Sequence, residues 1–278
     1  MDAISELGWT SYRRGTFDVW RGSAHQFKED VVAEEVPVVL VYNTIPHVVM
    51  LTTPLNLEDF ALGFSLTEGI IGHPAELQSV RVVQRSKGVE VRMTIPEQRQ
   101  VNISGKGRNM TGRTGCGLCG ASTLEQAIRK PNPVGQGLPL DAQFLCKAMQ
   151  EMPGKQTLNQ MTGAVHAAAW LDPERGLIAV REDVGRHNAL DKLIGSLAKS
   201  GCNFDQGWLL VTSRASYEMV QKAASVGITL LAAISAPTGL AIQLAEECGL
   251  TLVGFTRNDN HTIYTHPHRL QHLQETVA

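Results

Sequence analysis

The sequence predicts an α/β protein with a three-layer α/β/α sandwich in its C-terminal half and a smaller α+β domain before it. In the C-terminal half, strands that are apolar on both faces alternate strictly with helices, as in a parallel sheet covered by helices. In the N-terminal half, two hairpin patterns surround one helical pattern. We predict an N-terminal arm at residues 1–30, the small domain at 31–130, a linker at 131–140 and the sandwich at 141–278.

The small domain is predicted from its β-branched runs and its turn residues. Residues 1–30 show no sustained period of 2 or 3.6, so a loosely structured arm is expected there. Asn56 is expected to cap a helix that continues through Phe64. The predicted hairpins comprise strands 36–42 with 47–53, and strands near 80–85 with 89–95.

The sandwich is predicted to begin after a linker rich in proline and glycine at 131–137. Asp141 is expected to open its first helix. The later predicted elements are strands 164–171 and 177–181, a helix to about 199, strand 208–212, helix 216–225, strand 228–234, helix 238–247 and strand 250–255.

The composition limits the classes of function. The 278 residues are 43% hydrophobic and carry a formal net charge of -2, so a general nucleic-acid-binding surface is not indicated. No apolar run is long enough to span a bilayer. The five cysteines are an odd number, and three of them are scattered singly, so a secreted disulfide scaffold is not expected. These features indicate a cytoplasmic protein that does not associate with membranes.

The most distinctive stretch is Gly115-Cys116-Gly117-Leu118-Cys119-Gly120, which ends a long glycine-rich loop. Nearby Lys106, Arg108 and Arg113 favour thiolate over thiol. The flanking glycines remove steric bulk, so a sulfur atom could approach a partner closely. We interpret Cys116 and Cys119 as reactive thiols. Half of a zinc knuckle, or an ordinary turn with inert thiols, is the alternative.

A ligand site is predicted where the strands of the sandwich end, because ligands of open parallel sheets bind outside the carboxyl ends of the strands. Helix N-termini and arginines there favour an anion such as phosphate. Helix capping explains some of the hydroxyl groups equally well, and a histidine near a helix start is often purely structural. The candidate residues are Arg186, His187, Ser213, Arg214, Ser216, Ser235, Thr238, Phe255, Thr256, Arg257, Asn258, Asp259 and Asn260.

The order of elements in the second half resembles the cytidine-deaminase fold, so a cytidine-deaminase-like sandwich is expected. The zinc chemistry of that family is missing, because the corresponding helix starts, 185–188 and 213–217, contain no cysteine pair. Zinc deamination is therefore not expected.

A more specific resemblance is to the FdhD family of sulfur carriers, which formate dehydrogenase activity requires. It covers about residues 34–267 and rests on four motifs. They are Arg113-Thr114-Gly115-Cys116-Gly117-Leu118-Cys119-Gly120, Glu182-Asp183-Val184-Gly185-Arg186-His187, Ser213-Arg214-Ala215-Ser216-Tyr217-Glu218-Met219-Val220-Gln221-Lys222, and Leu252-Val253-Gly254-Phe255.

The resemblance implies a sulfurtransferase-type accessory protein. It would accept sulfane sulfur from a cysteine desulfurase as a persulfide on Cys116 and pass it to the molybdenum bis-guanine-dinucleotide cofactor of formate dehydrogenase. It also implies that residues 255–260 bind this cofactor, for which GDP could serve as a mimic. A homodimer is expected. Thr256 and 258–260 stand where some relatives carry more basic residues.

Two other functions are considered. A thiol-disulfide oxidoreductase would use Cys116 and Cys119, but such pairs usually begin a helix after a strand. A zinc-binding assembly module would draw on His266, His268 and His272, which lie almost 150 residues from the cysteine pair. We expect no metal site and no stoichiometric zinc in the purified protein.

Overall fold

The computed structural model of the chain describes residues 5–6, 9–104, 130–257 and 259–272. Over these ranges the chain is a mixed α/β protein with one six-stranded sheet, one four-stranded sheet and three two-stranded sheets. None of the described helices is long and apolar enough to cross a membrane.

The first half of the chain builds the four-stranded sheet and packs one helix on it. Its elements are β1 (Ser5–Glu6), β2 (Trp9–Thr10), β3 (Tyr12–Arg21), β4 (Ala24–Ala33), β5 (Val36–Tyr42), β6 (Ile45–Thr52), α1 (Leu57–Thr67), β7 (Ser79–Arg85), β8 (Gly88–Thr94) and α2 (Val101–Ser104). The strand order is β6-β5-β8-β7, with β5 and β8 parallel and the other pairs antiparallel. Both predicted hairpins and the helix are thus confirmed.

A core forms between this sheet and α1 because apolar residues recur at the spacing that each element requires. Val38 and Leu40 alternate with less buried residues along β5, and Phe60 and Phe64 lie one turn apart on α1. Asn56 occupies the N-cap position of α1, but it has a left-handed φ of 55° and its side chain makes no capping hydrogen bond. The prediction of the cap position was right, and the predicted side-chain cap is absent.

The prediction of a loosely structured arm was wrong for the described part of residues 1–30. Strands β3 and β4 pair antiparallel in continuous register from Tyr12 opposite Ala33 to Arg21 opposite Ala24. Most of their side chains are exposed, including those of Trp20 and Phe27. Neither face of this hairpin is fully buried, so the sequence carries no alternation of apolar and polar residues.

The second half builds the six-stranded sheet, and all its strands predicted from the sequence are present. Its elements are β9 (Leu140–Asp141), α3 (Ala142–Glu151), α4 (Thr157–Thr162), β10 (His166–Asp172), β11 (Gly176–Asp183), α5 (Arg186–Lys199), β12 (Trp208–Val211), α6 (Tyr217–Ser225), β13 (Leu230–Ala233), α7 (Gly239–Cys248), β14 (Thr251–Arg257), β15 (Asn260–Thr265) and β16 (Leu270–Gln271). The strand order is β11-β10-β12-β13-β14-β15. Strands β9, β15 and β16 and helix α4 were not predicted.

Helices cover both faces of this sheet. Apolar residues of α5, α6 and α7, such as Leu193, Val220 and Leu244, form one core with Leu209 and Leu231. Leu145 and Met149 of α3 form a second core on the opposite face, with the alternate strand residues Leu210 and Val253. The described part of this half therefore has three layers. The finer expectation of a cytidine-deaminase-like fold stays a prediction, as do the domain boundaries.

The predicted linker is an extended segment that lies against the second half. Val134 N donates to Cys248 O, and the buried guanidinium of Arg269 donates to the carbonyls of Gly135 and Gln136. Backbone groups that would otherwise face solvent are thereby satisfied. This stretch is therefore fixed to the second half through the end of α7 and the residues that follow β15.

Candidate functional site

Strands β11, β12, β13 and β14 end at the same edge of the six-stranded sheet, hereafter the carboxyl edge. Strands β12, β13 and β14 are parallel, and β10 is antiparallel to both β11 and β12, so β11 shares their direction. The four segments predicted to form the site lie at the ends of these strands or directly after them. The topology therefore brings them to one edge, as the sequence predicted.

Short contacts join neighbouring segments along the carboxyl edge. Thr238 N donates to Ala215 O at 3.0 Å, and Phe255 N donates to Ser235 O at 3.3 Å. His187 Nε2 lies 3.4 Å from Ser216 Oγ. These bonds connect the segments that follow β11, β12, β13 and β14 into a continuous rim.

Buried His187 and half-buried Glu218 form a polar pair at this rim. His187 Nε2 lies 3.1 Å from Glu218 Oε2, and Ser216 Oγ donates to the same oxygen at 3.1 Å. Burial alone would raise the pKa of Glu218, but the hydrogen bond from His187 and the nearby charges bring it below its usual value. Glu218 is thus a carboxylate at neutral pH, and His187 serves it as a hydrogen-bond donor.

Two polar atoms of the predicted site are buried without a hydrogen-bond partner among the described residues. They are Nε of Arg186 and Oγ1 of Thr256. An unsatisfied buried donor is costly, and water or a bound ligand commonly satisfies such groups. The guanidinium of Arg186, at the N-terminal end of α5, is therefore the strongest candidate for an anion contact.

The other serine and threonine residues of the predicted site differ in the hydrogen bonds that they make. Thr238 accepts a hydrogen bond from Ala241 N and so caps α7, as the structural alternative proposed. Ser213 is buried and donates to Arg214 O, whereas the Arg214 side chain is exposed. Ser216 is the N-cap residue of α6 without a side-chain capping bond. Ser235 takes part through its carbonyl, which accepts from Phe255 N.

The segment 255–260 connects β14 to β15 in a β-hairpin. Each of the other three segments leads into a helix instead. Phe255 and Asp259 have φ angles of 52° and 61°. Positive φ is a strained conformation for an aromatic residue, and such strain is often found at functional sites. Arg257 and Asn260 are exposed, and Asp259 Oδ1 accepts from Gln150 Nε2 at 2.8 Å. Asn258 lies outside the described residues.

Asp183 fixes the position of the segment that follows β11. Its fully buried carboxylate accepts from Gly185 N and Asn188 Nδ2, which hold the turn before α5. It also accepts from the Thr52 hydroxyl and Thr53 N, at the end of β6. Arg186 and His187 are thereby positioned by contacts that reach into the four-stranded sheet.

Sequence reasoning missed His166 and Glu218. His166 begins β10, which runs antiparallel to its neighbours and so starts at the carboxyl edge. Burial, with smaller effects of Arg186 and His187, lowers the pKa of His166 below its usual value. A search of strand ends alone cannot find a residue that begins an antiparallel strand. Glu218 lies in the sequence motif at 213–222. Nothing in that motif indicates that its carboxylate contacts a histidine of another helix.

Cys116 and Cys119 lie outside the described residues. The three described cysteines are Cys146, Cys202 and Cys248, and burial raises the pKa of each thiol. They are therefore poor nucleophiles at neutral pH. Within the described ranges no group of three or more histidine, cysteine, aspartate or glutamate residues could hold a metal ion.

Comparison with known families gives a match over most of the chain. The model of the FdhD/NarQ family matches residues 33–271. The chain is 50% identical to the sulfur carrier protein FdhD of Cupriavidus necator over 253 residues, which cover 91% of this chain and 88% of that protein. It is 51% identical to the sulfur carrier protein FdhD of Bordetella bronchiseptica over 243 residues, which cover 87% of this chain and 88% of that protein.

A solved structure shares the fold. It is the crystal structure of a candidate formate dehydrogenase accessory protein from Desulfotalea psychrophila, with a TM-score of 0.72 and 22% sequence identity. The match covers 94% of this chain and 99% of that chain. The similarity extends over nearly the whole length of both chains.

Proposed function

The chain belongs to the FdhD/NarQ family, and from this membership we propose that it is a sulfur carrier in the maturation of a formate dehydrogenase. Cys116 accepts sulfane sulfur from a cysteine desulfurase, and the chain passes this sulfur to the molybdenum bis-guanine-dinucleotide cofactor as its substrate. The relatives that support this proposal are named sulfur carrier proteins. We expect the protein to act in the cytoplasm as a homodimer.

Loading of the carrier is a thiol–persulfide exchange. The Cys116 thiolate attacks the outer sulfur of the desulfurase persulfide, a new S–S bond forms on Cys116, and the desulfurase cysteine leaves as a thiolate. The exchange needs no external oxidant, because one S–S bond replaces another. Basic Arg113 favours the thiolate that attacks, and Cys119 is close enough in sequence to attack or protect the product.

The observation that carries the cofactor part of the proposal is the unpartnered, buried Nε of Arg186 at the carboxyl edge. A phosphate group would supply the acceptor that this donor lacks. The segments from β11 to β14 extend over four interstrand spacings, roughly 19 Å at 4.8 Å each. A single phosphate would occupy a small part of this length, so only a longer ligand could contact all four segments.

The carrier step is tested by mass spectrometry after incubation with a cysteine desulfurase and cysteine. We expect an adduct of about 32 Da, the mass of one sulfur atom, on Cys116. Cys116→Ser should lose the adduct and the ability to activate formate dehydrogenase, while Cys202→Ser, the matched control, should keep both. Undiminished activation by Cys116→Ser would refute the carrier role of this residue. Cys119→Ser should be impaired less, or only in transfer.

The cofactor step is tested by calorimetry with GDP and with inorganic phosphate. We expect GDP to bind more tightly than phosphate and not to be hydrolysed, and Arg186→Ala to weaken its binding. Arg175→Ala is the matched control, because Arg175 lies in the β10–β11 turn at the opposite edge of the sheet and pairs with Asp172. No binding at millimolar GDP, or equal effects of the two variants, would contradict the proposed site.

A further inference from the structure

Two histidines face each other in a cavity away from the contacts that form the rim of the carboxyl edge. The cavity has a volume of about 530 Å³ and lies between α3 and β15. His261 Nε2 and His272 Nε2 are 2.8 Å apart, and the ring centroids are 5.0 Å apart with an angle of 20° between the planes. The two nitrogen atoms therefore lie on facing edges of the imidazole rings.

Histidine binds metals through its neutral imidazole. Burial, together with the neighbouring His272, lowers the pKa of His261 below its usual value. In the 2.8 Å contact one ring donates through Nε2–H and the other accepts through its Nε2 lone pair. If the donating ring changes to its other neutral tautomer, with the proton on Nδ1, both Nε2 lone pairs are free to bind a divalent cation between the rings.

We propose that His261 and His272 form an exchangeable binding site for a borderline divalent transition-metal ion such as Zn²⁺. Imidazole nitrogen suits zinc, copper and nickel ions, whereas magnesium and calcium prefer oxygen ligands. The carboxylate of Asp259 lines the same cavity, where Gln150 holds it at 2.8 Å. It adds negative charge beside the proposed ion.

The geometry needs only a small adjustment. Two nitrogens bound to tetrahedral zinc at 2.0–2.1 Å lie about 3.3 Å apart, so the Nε2 atoms must separate by roughly 0.5 Å. His272 is exposed and follows the last described strand, so its side chain is free to make this movement. Cys146 Sγ lies 3.9 Å from His261 Nδ1, the other nitrogen of the ring. Cys146 therefore orients His261 rather than binding the same ion.

The site differs from a structural zinc site. The protein provides only two ligands. This agrees with the described ranges, which contain no group of three or more histidine, cysteine, aspartate or glutamate residues that could hold a metal ion. Water completes the coordination. Such a site releases its ion readily. It is therefore compatible with the expectation that the purified protein holds no stoichiometric zinc.

The experiment is a titration of the full-length chain with Zn²⁺, followed by NMR of ¹⁵N-labelled histidine side chains. The chain carries Cys116→Ser and Cys119→Ser, so that these thiols do not compete for the metal. We expect the Nε2 signals of His261 and His272 to shift together as Zn²⁺ is added. His261→Gln and His272→Gln should each weaken binding roughly tenfold or more, because loss of even a residue that only supports a metal ligand has an effect on that scale.

Two variants serve as controls. His268→Gln removes a nearby exposed histidine outside the cavity, and Cys146→Ala removes the thiol on the far side of the ring; both should keep most of the affinity. Folding of all variants is checked by circular dichroism. The proposal is overturned if Zn²⁺ at millimolar concentration leaves both signals unchanged, or if His268→Gln weakens binding as much as His272→Gln does.

Discussion

Glu218 places a negative charge at an edge for which an anionic substrate is proposed. Its carboxylate accepts hydrogen bonds from His187 and Ser216, so part of that charge is offset locally. The same bonds join the first turns of α5 and α6. We interpret Glu218 as a residue that holds His187 and Ser216 in place beside Arg186, rather than as a ligand of the substrate.

The contribution of Glu218 to stability should depend on pH. Its pKa in the folded protein lies below the ordinary value of 4.5, so its stabilising effect is present above that pH and is lost as pH falls through the folded pKa. We expect Glu218→Gln to be less stable than the parent at pH 7, by about 1 kcal/mol, with a smaller difference at pH 4. Urea unfolding at the two pH values measures this. A difference that grows on acidification would contradict the argument.

Among individual residues, the sequence predicts the position of those whose place in the fold follows from the neighbouring strand. Arg186 and Ser216 come after strands and Phe255 lies near the end of β14, and the rule for parallel sheets suffices to place them at one edge. The partners of these residues were harder to find. His187 and Glu218 are 31 residues apart on two different helices, and the bond between them depends on how those helices pack.

Helices α1 and α5 cross with their backbones in close contact, and two glycines make this possible. A Cβ added to Gly63 would lie 1.7 Å from Asp191 O, and one added to Gly195 would lie 1.9 Å from Asp59 O. Each distance is far below van der Waals contact, so the two backbones touch at this crossing. The helix of the first half is thus packed directly against a helix of the second half.

We expect Gly195→Ala to destabilise the protein by about 3 kcal/mol, at the upper end of overpacking effects, because backbone rather than a flexible side chain occupies the space. Gly239→Ala is a suitable control. A Cβ at Gly239, the first residue of α7, meets no atom within 4 Å, so this change should be neutral or slightly stabilising. Chemical denaturation of both variants tests the difference. Equal stabilities would mean that α1 and α5 can separate without cost.

Among the helices and strands, the sequence predicts those that have one face buried in the core. Strand β5 and helix α1 each show the period of their own geometry because one face of each is covered. The hairpin of β3 and β4 lacks such a face, and its register depends on main-chain pairing, which leaves no periodic signal. Strand β15 was missed for a related reason, since its residues are mostly half-buried or exposed along its whole length.

The two halves of the molecule meet across buried charges as well as apolar surface. Lys222 Nζ lies 2.9 Å from Asp191 and 3.1 Å from Glu68. Burial alone would lower the pKa of Lys222, but these two carboxylates raise it above its usual value, so the ammonium stays charged. Asp59 binds Arg181 and Lys199 across the same junction. Such pairs require defined geometry, which favours one fixed arrangement of the two halves.

The most deeply buried pair predicts how the molecule unfolds. Lys192 and Asp183 are both fully buried, with Nζ and Oδ2 2.6 Å apart, and Lys192 also donates to Thr53 O. Removing one charge leaves the other unpaired in the interior, which costs about 3–5 kcal/mol. We therefore expect Asp183→Asn to be strongly destabilised. Since the same carboxylate holds the end of β6, the four-stranded sheet should then unfold separately from the six-stranded sheet.

Differential scanning calorimetry of the full-length protein distinguishes these outcomes. The parent should unfold in one transition and Asp183→Asn in two, because the buried pair couples the halves. Glu58→Gln is the matched control, as its exposed carboxylate lies 3.5 Å from Lys199 and a surface pair contributes about 1 kcal/mol or less. That variant should keep the single transition of the parent. Two transitions in the parent itself would show that the junction does not couple the halves, and the positioning of Arg186 through Asp183 would then need another explanation.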